Sequence, residues 1–183
     1  EISSRISADG PGPSGQTAVL IENVRGGGLF AAASVRRCDA RSLVSFDFRA
    51  ESGARVDLYL EPESLEFGRA GPFRVRLTGP ESENERHPVL GGPFARSDGL
   101  WHSVRLDLGR LFEAYRTSRA GAGPPEPSTV TPVFACLEEG ERDEYLPAGI
   151  GGNARGARYW VSGLRIEDPV RLDRSPPQVR EVL

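Results

Sequence analysis

The sequence predicts an all-β fold, an antiparallel β-sandwich of the jelly-roll type with one short helix, and two observations predict it. Apolar and polar side chains alternate with a period of two in several short segments, which is the pattern of half-buried antiparallel strands. Glycine and proline together number 37 (22 + 15) among 183 residues, well above the roughly 12% of ordinary usage. Long helices do not tolerate this content, so a helical bundle is disfavoured.

The alternation is clearest in four segments, each with large apolar residues on one face and polar residues on the other. These segments are residues 42–50, 56–61, 73–78 and 102–108. Turn residues such as the Glu-Ser-Gly run at 51–53 separate them. Further strands are predicted at 17–22, 29–33, 129–137, 145–150 and 158–166.

One helix is predicted at 109–117, where Leu111, Phe112 and Tyr115 fall on one face. The Pro/Gly stretch at 119–128 and the acidic stretch at 138–144 are predicted to be loops. We assign residues 1–172 to the sandwich domain. Residues 173–183 contain a diproline and then alternating apolar residues, and are expected to be a linker and the start of a following domain. Since the chain contains no methionine, we expect it to be a piece of a longer protein.

The charged residues exclude several kinds of chemistry. All 23 basic residues are arginine, so a P-loop lysine and a Schiff-base lysine are impossible. With 26 acidic residues the net charge is −3, which gives no basic field for a phosphate backbone, and no nucleic-acid partner is expected. No run of 18 apolar residues occurs, so no membrane span is predicted. No motif indicates a cofactor.

The two cysteines, Cys38 and Cys136, lie far apart in the sequence. Their spacing does not fit a zinc site of the CxxC type. They are a candidate disulfide if the chain resides in an oxidising compartment. The alternative is two buried thiols that pack as small apolar groups, and the sequence does not choose between the two.

Catalytic residues are not predicted. The histidines are His87, expected to be solvated in a polar loop, and His102, expected to pack on the apolar face of its strand. No Gly-x-Ser-x-Gly motif and no Cys beside a His occurs. A glycosidase needs two carboxylates in a cleft, and the nearest pattern, Glu139-x-Glu141-x-Asp143, lies in the acidic loop, where solvated side chains are the favoured interpretation.

Polar side chains opposite the core suggest a binding surface, provided that the four clearest strands share one sheet. Arginine and aspartate pair with vicinal hydroxyls of a sugar, and an aromatic ring stacks on a pyranose. The candidate ligand-binding residues are Tyr59, Asp57, Arg74, Arg76, Arg105 and Trp101. The alternative is a solvated ladder of cross-strand ion pairs, each worth roughly 0.2–1 kcal/mol. If this face binds sugar, Trp101 and Trp160 are candidate stacking platforms; if it is an ordinary solvated sheet, they are packing residues.

Two motifs resemble those of a known family. Residues 98–102 (DGLWH) open a strand with a Trp-His pair after an Asp-Gly turn, and residues 159–166 (YWVSGLRI) are similar to a closing strand. Both resemble carbohydrate-binding modules of the galactose-binding-like type, jelly-roll domains of secreted bacterial multidomain proteins. The resemblance implies an extracellular or cell-surface module with a polysaccharide or glycan as partner, next to other domains of the same chain. The family's aspartates in the last strand are replaced by Ser162 and Gly163, so no bound metal is expected.

These observations lead us to expect a non-catalytic, carbohydrate-binding-like or adhesive accessory module of a larger exported bacterial protein. A ligand-free spacer domain is the alternative, and a sandwich-fold glycosidase or lyase is a less favoured third. An exposed aromatic residue flanked by Arg and Asp on one sheet would distinguish binding from spacing. A carboxylate pair in a groove would indicate the enzyme.

Overall fold

Two five-stranded sheets pack face to face in the computed structural model, which describes residues 4–23, 36–62, 72–79, 87–119, 127–135 and 156–169. The strands are β1 (Ser4–Pro11), β2 (Thr17–Asn23), β3 (Cys38–Asp39), β4 (Leu43–Ala50), β5 (Asp57–Pro62), β6 (Phe73–Arg76), β7 (Val89–Gly91), β8 (Trp101–Asp107), β9 (Thr129–Ala135) and β10 (Arg158–Glu167). The helix α1 (Leu108–Ser118) follows β8 directly. The predicted β-sandwich with one short helix is confirmed.

The ten strands are divided equally between two sheets, here called sheet I and sheet II. Sheet I has the order β1-β2-β10-β4-β8, and sheet II has the order β3-β9-β5-β6-β7. Neighbouring strands are antiparallel except for β6 and β7, which run parallel. The chain therefore leaves sheet I after β4 and enters sheet II at β5.

The core lies between the sheets and is built by the alternating residues. Val44, Phe46 and Phe48 of β4 are buried, while the residues between them are half-buried on the other face. The Phe46 ring meets the edge of Phe134 from sheet II at a centroid distance of 5.1 Å. Burying each such side chain contributes roughly 1.5–3 kcal/mol, so these aromatic contacts hold the two sheets together.

Helix α1 begins where the sequence predicts. The side chain of Asp107 caps it by accepting a 3.0 Å hydrogen bond from the amide of Arg110. Leu108 and Phe112 are its buried residues, and Phe112 meets the edge of Phe73 at 4.9 Å. The helix is thus fixed to the sandwich by its apolar face.

The predicted strands at 17–22, 42–50, 56–61, 73–78, 102–108, 129–137 and 158–166 correspond to β2, β4, β5, β6, β8, β9 and β10. Three further strands, β1, β3 and β7, were not predicted. The segments 29–33, 138–144, 145–150 and 173–183 lie outside the described residues, as do 120–126 of the predicted Pro/Gly loop.

Cys38 is a buried, free thiol, and burial raises its pKa. It pairs with Val130 near the start of β9, whereas β9 ends at Ala135. Its predicted disulfide partner, Cys136, lies outside the described residues, so that pairing stays a prediction.

Candidate binding face

The six candidate ligand-binding residues do not lie on one sheet. Trp101 and Arg105 belong to β8 in sheet I. The other four, Asp57, Tyr59, Arg74 and Arg76, belong to β5 and β6 in sheet II. The condition set for this binding surface, that the strands share one sheet, is therefore not met, because the two sets lie in different sheets.

The expected solvent exposure of Asp57 and Arg74 is also wrong, since both side chains are fully buried. Arg74 Nε donates to Asp57 Oδ2 at 2.6 Å, and Asp57 Oδ1 accepts from the amides of Leu77 and Gly79 at 3.0 Å each. Burial raises the pKa of Asp57, and Arg74 opposes that rise. Asp57 and Arg74 therefore form a buried ion pair, and Asp57 also holds the backbone at Leu77 and Gly79, just after β6.

Tyr59 and Arg76 likewise make intramolecular contacts. Tyr59 is 2% exposed, and its ring meets that of His87 edge-on at 5.9 Å. Arg76 is half-buried, and its Nη2 donates to the carbonyl of Gly92 at 3.0 Å. His87 is itself half-buried rather than solvated, which corrects the sequence-based expectation.

The outer face of sheet I carries a row of side chains that crosses all five strands. Cross-strand pairing aligns Trp101 with Arg49, Arg49 with Trp160, Trp160 with Leu20, and Leu20 with Ser7. Directly paired residues of neighbouring strands place their side chains on the same face within contact distance. Two tryptophans thus flank one guanidinium on this face.

Arg49 and Trp160 pack closely at the centre of the row. The Arg49 guanidinium carbon lies 4.7 Å from the Trp160 ring centroid, a cation–π distance. Trp160 is 7% exposed, and its Nε1 donates to Asp9 Oδ2 at 2.7 Å. This hydrogen bond, with one from the Gly10 amide, lowers the pKa of Asp9. Trp160 is therefore a packing residue that supports Arg49.

Trp101 is half-buried. It lies at the end of the row because β8 is the edge strand of sheet I. A turn fixes its position: Asp98 Oδ1 accepts from the amide of Leu100 at 2.9 Å, and Gly99 has a φ of 77° that favours glycine. Asp98 Oδ1 also lies 2.9 Å from Nε2 of His102, and this contact lowers the pKa of Asp98. His102 pairs with the buried Phe48, on the apolar face of its strand as predicted, but it is half-buried and bonded to Asp98 rather than enclosed in the core.

The next row of the same face is polar. Asp47 of β4 pairs with Ser103 of β8 and with Ser162 of β10. Ser103 Oγ donates to Asp47 Oδ1 at 2.7 Å, and Ser162 Oγ donates to the carbonyl of Gln16 at 3.0 Å. An aromatic residue, an arginine and an aspartate thus occupy neighbouring positions on the outer face of sheet I.

A second region with depressions lies around helix α1 and the residues just before β9. One depression of about 520 Å³ is lined by Asp39, Arg41, Arg116, Pro127 and Ser128, and a neighbouring one of about 380 Å³ includes Asp107 and Glu113. The aspartates there have structural partners. Asp39 accepts from the amide of Arg41 at 2.8 Å, and Asp107 caps α1.

The described residues contain no group of three or more His, Cys, Asp or Glu side chains placed to hold a metal ion. In the same part of the chain, no helix is long and apolar enough to cross a membrane. The acidic run with Glu139, Glu141 and Asp143 lies outside the described residues.

Arg49 and Asp47 are the site residues that sequence reasoning did not select. Both alternate correctly along β4 and point away from the core, as the pattern predicts. Their selection requires knowing that β8 and β10 flank β4. The alternation reports which face a side chain takes but carries no information on strand order.

Two solved structures are similar to the chain in fold. CtCBM11, described with its solution structure and binding studies, matches with a TM-score of 0.44 and 11% identity over 93% of this chain and 86% of its own. The xyloglucanase domain of NopAA, a type three effector from Sinorhizobium fredii, in complex with cellobiose, matches with a TM-score of 0.43 and 10% identity over 92% of this chain and 94% of its own. Likeness of this degree does not indicate what the chain binds. No protein-family model and no curated protein matches the sequence.

Proposed function

We propose that this domain is a non-catalytic glycan-binding module whose binding surface is the outer face of sheet I. The observation that carries the proposal is the half-buried Trp101 beside Arg49, with Asp47 in the adjoining row. A sugar ring stacks on an aromatic face, and planar arginine and aspartate groups pair with its hydroxyls. This arrangement supports binding over the spacer alternative.

Rigidity also supports this surface. Arg49 rests on Trp160, and Trp160 is bonded to Asp9. Trp101 follows a turn that Asp98 fixes. A preorganised surface loses little conformational entropy when a ligand binds, which favours affinity from few contacts.

The test is affinity electrophoresis of the purified chain in gels containing soluble neutral and acidic polysaccharides. We expect retardation by at least one polymer, and W101A is expected to weaken the binding constant about ten-fold, the effect of roughly 1.4 kcal/mol. The matched control is L100A, because Leu100 is 65% exposed and adjacent in sequence but precedes β8. Equal retardation of W101A and wild type, or no retardation by any polymer, contradicts the proposal.

We also propose that the module works outside the cell or at the cell surface, within a larger exported bacterial protein. The motifs at 98–102 and 159–166 that resemble secreted carbohydrate-binding modules support this context. Residues 173–183 are proposed to lead into a neighbouring domain. Fractionation of the producing cells tests the location, and recovery of the protein in the cytoplasmic fraction alone contradicts it.

A further inference from the structure

Some charged side chains on the outer face of sheet I form hydrogen bonds or ion pairs within the protein, and others do not. The residues concerned are Arg49, Arg105 and Arg165 among the arginines, and Asp9, Asp47, Asp107, Glu22 and Glu167 among the acids. Strand register places each of them on the outer face of the sheet.

Four of these carboxylates are engaged. Asp9 accepts from the indole of Trp160, and Asp47 accepts from Ser103 Oγ. Asp107 caps α1 and contacts the Arg110 side chain at 3.4 Å, and Glu22 lies 3.6 Å from the Arg5 guanidinium. Glu167, at the far end of β10, is the exposed carboxylate for which the described residues supply no donor.

None of the three arginines forms an ion pair with a carboxylate of the described residues, although the charge of Arg49 contributes to the lowered pKa of Asp9. Arg105 and Arg165 are exposed, and no hydrogen bond or ion pair joins either to another described residue. Arg49 contacts the Trp160 ring, while its Nε is buried and has no hydrogen-bond partner in the described part of the chain. Because Nε is enclosed, a ligand reaches Arg49 only through other atoms of its half-buried side chain.

Strand register spaces these arginines across the face. Arg105 and Arg165 both pair with Ser45, one from each side of β4, which separates their backbones by about 10 Å, or two strand spacings. Arg49 lies four residues from Ser45 on the same face of β4, a distance of about 13 Å along the strand. The positive groups are therefore spaced along and across β4, while the turn at residues 12–16 lies against Ser162 and Gly163 on the β10 side of this face.

We infer that the outer face of sheet I binds an anionic glycan, a polymer bearing carboxylate or sulfate groups, through Arg49, Arg105 and Arg165. The inference rests on the proposed glycan-binding function and specifies its ligand class. Arginine forms paired, charge-assisted hydrogen bonds with planar carboxylates and with sulfate oxygens. Trp101 at the edge of the face supplies the stacking surface for the ring that carries the charge.

The test compares polygalacturonate with its fully methyl-esterified form, and dextran sulfate with dextran, in titration calorimetry of the full chain. We expect the charged member of at least one pair to bind about ten-fold or more tightly than its neutral counterpart. Binding is expected to weaken as salt rises. The pair that shows the preference identifies carboxylate or sulfate as the recognised group.

Variants complete the test. R49Q and the double variant R105Q/R165Q are expected to lose about ten-fold in affinity for the charged polymer, while R36Q is the matched control, since Arg36 is exposed just before β3 in sheet II. The double variant changes exposed residues only, so it remains informative if R49Q fails to fold. Equal binding of neutral and charged polymers, weakened by W101A, overturns the inference and keeps the proposed function. Absence of binding to all four polymers and to the neutral and acidic panel above overturns both.

Discussion

At the scale of single residues, Asp57 and Arg74 hold opposite charges where neither side chain reaches water. Removing one charge leaves the other buried without a counter-ion, which costs about 3–5 kcal/mol. We therefore expect D57N to lower the free energy of unfolding by about that amount, measured by urea denaturation.

The matched control is E61Q, because Glu61 is an exposed acid on the same strand. Surface substitutions of this kind stay within about 0.5 kcal/mol of wild type. A D57N protein as stable as E61Q would show that the Asp57–Arg74 pair does not stabilise the fold.

Asp9 supplies a pH-dependent contact to the binding face. Its pKa lies below the ordinary value of 3.8 because its carboxylate accepts hydrogen bonds from the Trp160 indole and the Gly10 amide. A carboxyl group with a lowered folded pKa stabilises the fold above its unfolded pKa, and this contribution is lost as the pH falls through the folded value.

We expect the Nε1–H resonance of Trp160 in ¹⁵N-HSQC spectra to shift on acidification with a midpoint below 3.8. The D9N variant removes the titrating group, and its indole resonance should lack this transition. A midpoint at or above 3.8, or an unchanged titration in D9N, would contradict the assigned hydrogen bond.

Residue patterns along the sequence predict which face of a strand a side chain takes, but not whether that face is exposed to water. Asp57 and Tyr59 alternate with buried leucines, as in a strand with one wet face, yet both are buried. The same sequence pattern results whether a polar face meets water or packs against other parts of the chain. Opposite charges on neighbouring strands fit a surface ladder and a buried pair equally well, so the burial of Asp57 and Arg74 was not predictable.

At the scale of elements, β10 depends on an irregularity at Gly163. The register with β4 shifts between Ser162 and Arg165, which lets Val161 and Ile166 both pack inward. Gly163 has a φ of 62°, and a Cβ there would lie 2.8 Å from Oγ of Ser14. Other residues pay roughly 1–2 kcal/mol in this backbone region.

We expect G163A to lower the free energy of unfolding by roughly 1–2 kcal/mol in chemical denaturation. G10A is the control, since a Cβ at Gly10 meets nothing within 4 Å. If both variants unfold at the same urea concentration as wild type, the bulge does not require glycine.

Strongly periodic elements were predictable, and short or polar ones were not. β4 and β8 alternate over seven or more residues, and α1 has an aspartate cap before an apolar face. By contrast β1 is an edge strand whose Ile6 is 52% exposed, so its sequence shows little core pattern. β3 has two residues and β7 has three, too few to show any period.

At the scale of the whole molecule, the assignment of strands to sheets decides where the candidate site lies. β4 and β5 are consecutive and joined by a turn, which suggests a hairpin, but they belong to different sheets. Local sequence patterns do not distinguish a hairpin within one sheet from a connection between two sheets, because the same turn residues occur in both. The composition and alternation thus predicted the sandwich, while the binding face emerged only from strand order.

The most direct test of the central claim is a ¹⁵N-HSQC titration of the chain with the oligosaccharide form of whichever polymer retards it. We predict that perturbed amides and side chains cluster on Trp101, Arg49 and Ser103 in the outer face of sheet I. Tyr59 and Val133 of sheet II, both buried, should remain unperturbed. Perturbations centred on sheet II, or none at saturating ligand, would contradict the claim that the outer face of sheet I binds glycan.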